Sequence, residues 1–185
     1  EQAEHHLDAM MCVRDIRRLS VAGRSAVKTE AFAARAAGLY PDLEISHGTD
    51  IEAAIANADI ICTVTAAPTP IVKGAWVAPG AHVNIVGSSI PTMREVDDEM
   101  VLRGDIWVDY LPSTVAQAGE IVDMIKAGTF SADQLQGEIG AHLSGEIPGR
   151  SSSGQITFYR SLGIAAQDLA AAHYVVTRAR AENRG

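Results

Sequence analysis

Cysteine is scarce in this chain. Only Cys12 and Cys62 occur, with no CxxC pair and no set of four or six, which excludes a disulfide framework and points to a reduced compartment. Both are expected in the core, one in a helical pattern and one in an apolar strand. Aromatic residues make up 5% of the 185 residues while 47% are hydrophobic, so the core must be built from alanine and branched aliphatics. Cations are also in deficit: 15 Lys and Arg against 23 Asp and Glu give a formal charge of −8. With no basic run to offset that charge, nucleic acid and anionic membranes are disfavoured as partners. No apolar run approaches the roughly 18–20 residues of a membrane span, and no signal peptide is expected. A cytoplasmic protein with small-molecule chemistry is therefore expected.

The chain does hold a regular alternation of short apolar strands and helices. Strands are predicted at 18–23, 43–47, 59–65, 81–87 and 105–109, the third and fourth as nearly continuous apolar runs of the kind buried on both faces of a parallel sheet. Between them, 25–38 reads as a helix capped by Ser25 and closed by Gly38, 49–58 as a second helix, and 94–104 as a third with Asp97, Asp98 and Glu99 near its start. Such alternation predicts right-handed crossovers and an α/β, doubly wound parallel sheet. The order breaks near residue 111. Beyond it come helical stretches, a strand-like "QITFYRSLG" at 155–163, and a long helix from Ile164 to about Ala181 whose Leu169, Val175 and Val176 must lie against something apolar.

The stretch "RRLSVAGRS" at 17–25 is a strand that stops at a glycine and then presents Arg24 and Ser25. In a dinucleotide-binding fold the end of the second strand meets the adenosine ribose, and a guanidinium pairs bidentately with phosphate, so these two residues are a candidate 2'-phosphate reader. The alternative is a glycine turn followed by a solvated arginine. The histidines show no ligand spacing, since the adjacent His5 and His6 point about 100 degrees apart on a helix, and no metal site is read.

"EQAEHHLDAM", "VAGRS", "ADIICTVTAAPTPIV", "PGAHVNIVGSSIPTMREVDDEM" and "IPGRSSSGQITFYRSLGIAAQDLAAA" occur in this order across nearly the whole chain. Together they resemble the nucleotide-binding domain of the ornithine cyclodeaminase and mu-crystallin family. The resemblance implies a Rossmann-type sheet whose first strand and glycine loop lie upstream of Glu1, with only the Gln2-Ala3 tail of the fingerprint present. It further implies a nucleotide domain at 1–162, a helix at 163–185 that packs on a separate dimerisation and substrate domain, and a homodimer.

Carried over residue by residue, the resemblance puts Gln2 at the helix start beneath the pyrophosphate, Arg24, Ser25 and Lys28 near the adenosine ribose, and Thr65 and Ala66 at the carboxyl end of a strand beside the cofactor. Val86, Gly87, Ser89 and Ser161 fall at the nicotinamide end. Either NAD or NADP is implied, and Arg24-Ser25 favours NADP. Ser89 stands where cyclodeaminases of the family carry an aspartate base, and a serine without an adjacent base cannot take that role near neutral pH. The expected activity is an NAD(P)H-dependent reduction of 2-imino acids, cyclic ketimines or iminosuccinate, or the reverse amino-acid dehydrogenation. The alternatives are a cyclodeaminase with bound NAD, or a non-catalytic binding protein.

Overall fold

The computed structural model describes residues 2–184. In chain order the elements are α1 (Gln2–Val13), β1 (Arg18–Ala22), α2 (Ala26–Leu39), β2 (Glu44–Gly48), α3 (Ile51–Ile55), β3 (Ile60–Thr63), β4 (His82–Ile85), α4 (Asp98–Arg103) and β5 (Asp105–Val108). There follow α5 (Leu111–Gln117), α6 (Gly119–Ala127), β6 (Gly137–Glu138), α7 (Ile139–Leu143), β7 (Thr157–Arg160) and α8 (Ala165–Ala181). Every strand pairing is parallel. The expected α/β architecture is present, with the five predicted strands in place.

The strands form two sheets. β1 pairs with β2, while the second sheet runs β3-β4-β7-β5-β6. Each has its own core. A small cluster of Leu7, Ala36 and Leu43 with Leu19 and Phe32 serves the first sheet, and a larger one including Ile61, Val83, Ile85, Met100, Ile106, Ile121 and Phe158 serves the second. Between the facing edges of β1 and β3 runs a cleft of about 680 Å³, lined by Ala3, Leu7, Leu19, Val21, Ile61 and Thr63 among others. On the cleft side neither strand has a hydrogen-bonded partner among the described residues.

Several details differ from expectation. The strand-like segment at 155–163 becomes β7 and inserts between β4 and β5, which no local pattern announces. The helix read at 94–104 begins only at Asp98, because the Asp97 side chain accepts from the Met100 N–H and caps it there. Glu95 is thereby left in extended chain, where Val96 bridges Val72. α2 runs one residue past Gly38, and its cap is Tyr40, whose N–H donates to Ala36. Cys12 is exposed and Cys62 only half-buried, so neither is a core residue: Cys12 lies off the apolar stripe that α1 turns inward through Leu7. α8 buries none of its residues, and Leu169 (72% exposed), Val175 (62%) and Val176 (45%) face outward.

Candidate functional site

Parallel strands deliver their carboxyl ends to one edge, where ligands of open α/β sheets bind. At this edge of the larger sheet three buried charged side chains organise the loops. The first is Glu95, with no exposed surface. Its carboxylate accepts from Thr63 Oγ1 (2.9 Å), Thr65 N (2.6 Å), Thr65 Oγ1 (2.7 Å) and Gly87 N (2.8 Å). The ends of β3 and β4 are thus tied to one group.

The second is Arg160, the last residue of β7, whose guanidinium donates to the carbonyls of Ile85 (3.3 Å), Ser161 (3.0 Å) and Ser88 (2.5 Å) and approaches Ser88 Oγ at 3.2 Å. Its charge is met by Glu120 from the first turn of α6. The third is Asp109, directly after β5. Its Oδ1 accepts from Tyr110 N, while Oδ2 accepts from Ser161 Oγ (3.3 Å), Leu162 N (2.7 Å) and Gly163 N (2.6 Å), which fixes a turn in which Gly163 has φ +83°. Nearby, burial pushes the Tyr159 phenol up, so it remains protonated at neutral pH.

These contacts bring four of the anticipated residues to one edge. Thr65 and Gly87 share Glu95, Val86 bonds from its N–H to Thr63 O at 3.0 Å, and Ser161 N donates to Ile85 O at 3.0 Å. Ser89 follows the clamped Gly87-Ser88 peptide and is exposed, as is Ala66 beside Thr65. Among the described residues no side chain hydrogen-bonds Ser89.

Arg24, Ser25 and Lys28 sit apart from these, at the carboxyl end of β1 on the smaller sheet. The Ser25 hydroxyl accepts from Lys28 N at 3.4 Å and caps α2. Arg24 and Lys28 are exposed, and no acidic side chain among the described residues pairs with either. Two free cations beside the start of a 14-residue helix suit a phosphate group, which is what a phosphorylated ribose would require. Gln2 begins α1, and the same helix contributes Ala3 to the cleft that also reaches Thr65.

Packing keeps Gly87 small. A Cβ there would lie 2.0 Å from Thr65 N and 2.2 Å from Thr65 O, so the bare Cα is demanded by its packing on β3's end. Thr65 likewise spends its hydroxyl on Glu95. Sequence reasoning missed Glu95, Arg160 and Glu120 as members of the site. Glu95 lay at the start of the helix read at 94–104, just ahead of the acidic cluster Asp97, Asp98 and Glu99; the apolar Val96 directly after it was the available signal. No group of three or more His, Cys, Asp or Glu side chains able to hold a metal ion occurs among the described residues.

Against known proteins, the profile described as ornithine cyclodeaminase/mu-crystallin family matches residues 1–183. A Delta(1)-pyrroline-2-carboxylate reductase from Colwellia psychrerythraea is 35% identical over 176 residues, 95% of this chain and 56% of that protein. Among solved structures, that of Thermococcus litoralis Delta(1)-pyrroline-2-carboxylate reductase with NADH and L-proline superposes with a TM-score of 0.95 at 28% identity, covering 100% of this chain and 57% of that one. An archaeal alanine dehydrogenase dimer with bound NAD superposes with a TM-score of 0.91 at 29% identity, covering 100% and 56%. The chain spans little more than half the length of the curated relatives it matches.

Proposed function

The chain belongs to the ornithine cyclodeaminase/mu-crystallin family, and on that footing we propose that it is the nucleotide-binding half of an NAD(P)H-dependent reductase of 2-imino acids, acting on a cyclic ketimine or iminosuccinate-type substrate or running the reverse amino-acid dehydrogenation. The observation that carries this reading is Ser89, exposed at the carboxyl edge and itself without a carboxylate, where a cyclodeaminase needs one. Reductases and an alanine dehydrogenase among its relatives support the same choice.

When bound, the nicotinamide supplies or accepts the hydride, and the protein's part is to hold and orient it. Arg24 and Lys28 would take a 2'-phosphate on the ribose, Gln2 would start the helix beneath the pyrophosphate, and Thr65, Ala66, Val86, Gly87, Ser89 and Ser161 would shape the nicotinamide end. The two free cations support NADP, while the relatives with NADH or NAD in their structures support NAD. The cleft between β1 and β3, with two unpaired strand edges, suits one further parallel strand, which would join the two sheets and bring a glycine loop to the start of α1. The bare stripe of α8 suits a separate dimerisation domain that would hold the substrate's carboxylate in a cytoplasmic homodimer.

The test is initial-rate cofactor oxidation by the full-length protein with NADPH and with NADH, against Delta(1)-pyrroline-2-carboxylate and against 2-oxo acids plus ammonia. Turnover that depends on an imine is expected, with an NADPH preference that collapses in Arg24→Ala. Ammonia release from ornithine without cofactor consumption would overturn the reading.

A further inference from the structure

Glu95 holds four donors and no cation: among the described residues no Lys or Arg side chain pairs with it. On the footing of the cofactor reading above, we infer that Glu95 is a positioning residue that decides which end of a dinucleotide the β3–β4 edge accepts. Backbone N–H groups at strand ends and turns are ordinarily the donors that bind anions. Here the N–H groups of Thr65 and Gly87 are both turned inward and consumed by a buried carboxylate. An anionic group at this edge would find neither donor free and an acid beneath them. An uncharged or cationic ring loses nothing. The phosphate-bearing end is left to Arg24 and Lys28 on the other sheet, so the two sheets sort the ligand by charge.

A carboxylate is the only side chain that can do this in the space. Its two oxygens accept all four bonds, whereas a glutamine offers one oxygen and sets its own N–H₂ against donors. Because Gly87 rests on the Thr65 peptide with no room for a Cβ, any shift of one strand end moves the other. Thr63, 4% exposed in β3, is a donor to Glu95 that lies outside the cofactor residues proposed above.

The experiment uses the full-length protein, titrating NADH by its fluorescence and measuring imine KM at saturating cofactor. Glu95→Gln is expected to raise the NADH Kd by about tenfold or more, in line with losing bonds to a charged acceptor, while the imine KM moves less than about threefold. Thr63→Val, which removes one donor, is expected to raise Kd by about two- to fourfold, and the double variant to bind no worse than Glu95→Gln alone, since both act through one group. A folded Glu95→Gln protein with an unchanged Kd, or effects that multiply in the double variant, would overturn the assignment. If Glu95→Gln does not fold, Thr63→Val decides it: a raised NADH Kd with an unchanged imine KM supports the role, and an unchanged Kd overturns it. Wild-type protein that neither binds NADH nor reduces imines takes the cofactor reading down with it, whereas normal wild-type turnover with indifferent variants removes Glu95 alone.

Discussion

Arg160 Nε lies 2.6 Å from Glu120 Oε1, and neither side chain has any exposed surface. The approach is close but off the angle of a good hydrogen bond, so charge rather than alignment joins the pair. The rest of the guanidinium is occupied by the carbonyls of Ile85, Ser88 and Ser161. Removing one partner strands the other charge in the interior, which costs about 3–5 kcal/mol. Glu120→Ala should therefore lower the stability measured by denaturant titration by about that amount, and Glu120→Ala/Arg160→Met should recover part of it. A single variant within about 1 kcal/mol of wild type would show that the pair does not act as a unit.

Gly87→Ala is expected to be far costlier than an ordinary glycine replacement. The added methyl meets Thr65 backbone atoms, which cannot swing aside as a flexible side chain would. Overpacking against backbone should cost about 3 kcal/mol or more, and NADH binding should be lost together with stability. Gly38→Ala is the control, because a Cβ there meets nothing within 4 Å and α2 continues through it. Thermal melting of the two variants, run side by side, checks the contrast.

His82 makes stability depend on pH. Burial pushes its pKa below the usual 6.5, and its ring sits in a chain of bonds from Arg150 through Thr157 Oγ1 to Nδ1, then from Nε2 to Asn84 Oδ1. That chain suits a neutral imidazole. Above pH 6.5 the residue is uncharged in both folded and unfolded protein and contributes no pH dependence. As pH falls through 6.5 the unfolded chain takes up a proton that the folded protein refuses, so stability declines until the lower folded-state pKa is reached. Between pH 7.5 and 5.5 wild-type Tm should drop by roughly 2–4 °C more than that of His82→Gln. Parallel drops in the two proteins would contradict this.

Much of the architecture was legible because parallel strands leave long apolar runs, as in "HVNIV" of the deeply buried β4 and in "DIICTVTAA", where β3 buries alternate residues only, and because Ser25 marks the start of α2 where it in fact caps it. The position of β7 was not, since insertion between β4 and β5 is decided by packing between segments about 50 and 75 residues apart. The site was readable as an edge but not as a mechanism of support. Arg24 and Thr65 stand at strand ends that alternation alone predicts. Glu95, Arg160 and Glu120 look like surface charges in the one-dimensional text, and only the fold turns them inward. Cys12 failed for the opposite reason: a helix has a wet side, and spacing alone did not say which side it took.

The two sheets keep separate cores, one around Leu7, Ala36 and Leu43 and the other around Ile85, Met100 and Phe158. Mutational change can therefore accumulate in one without repacking the other. A lineage could alter Arg24 and its neighbours while the clamp beneath Ser89 stayed still, or remodel that clamp while the smaller sheet kept its packing. Modularity of this kind makes the surface around Arg24 the part of this chain most open to directed evolution.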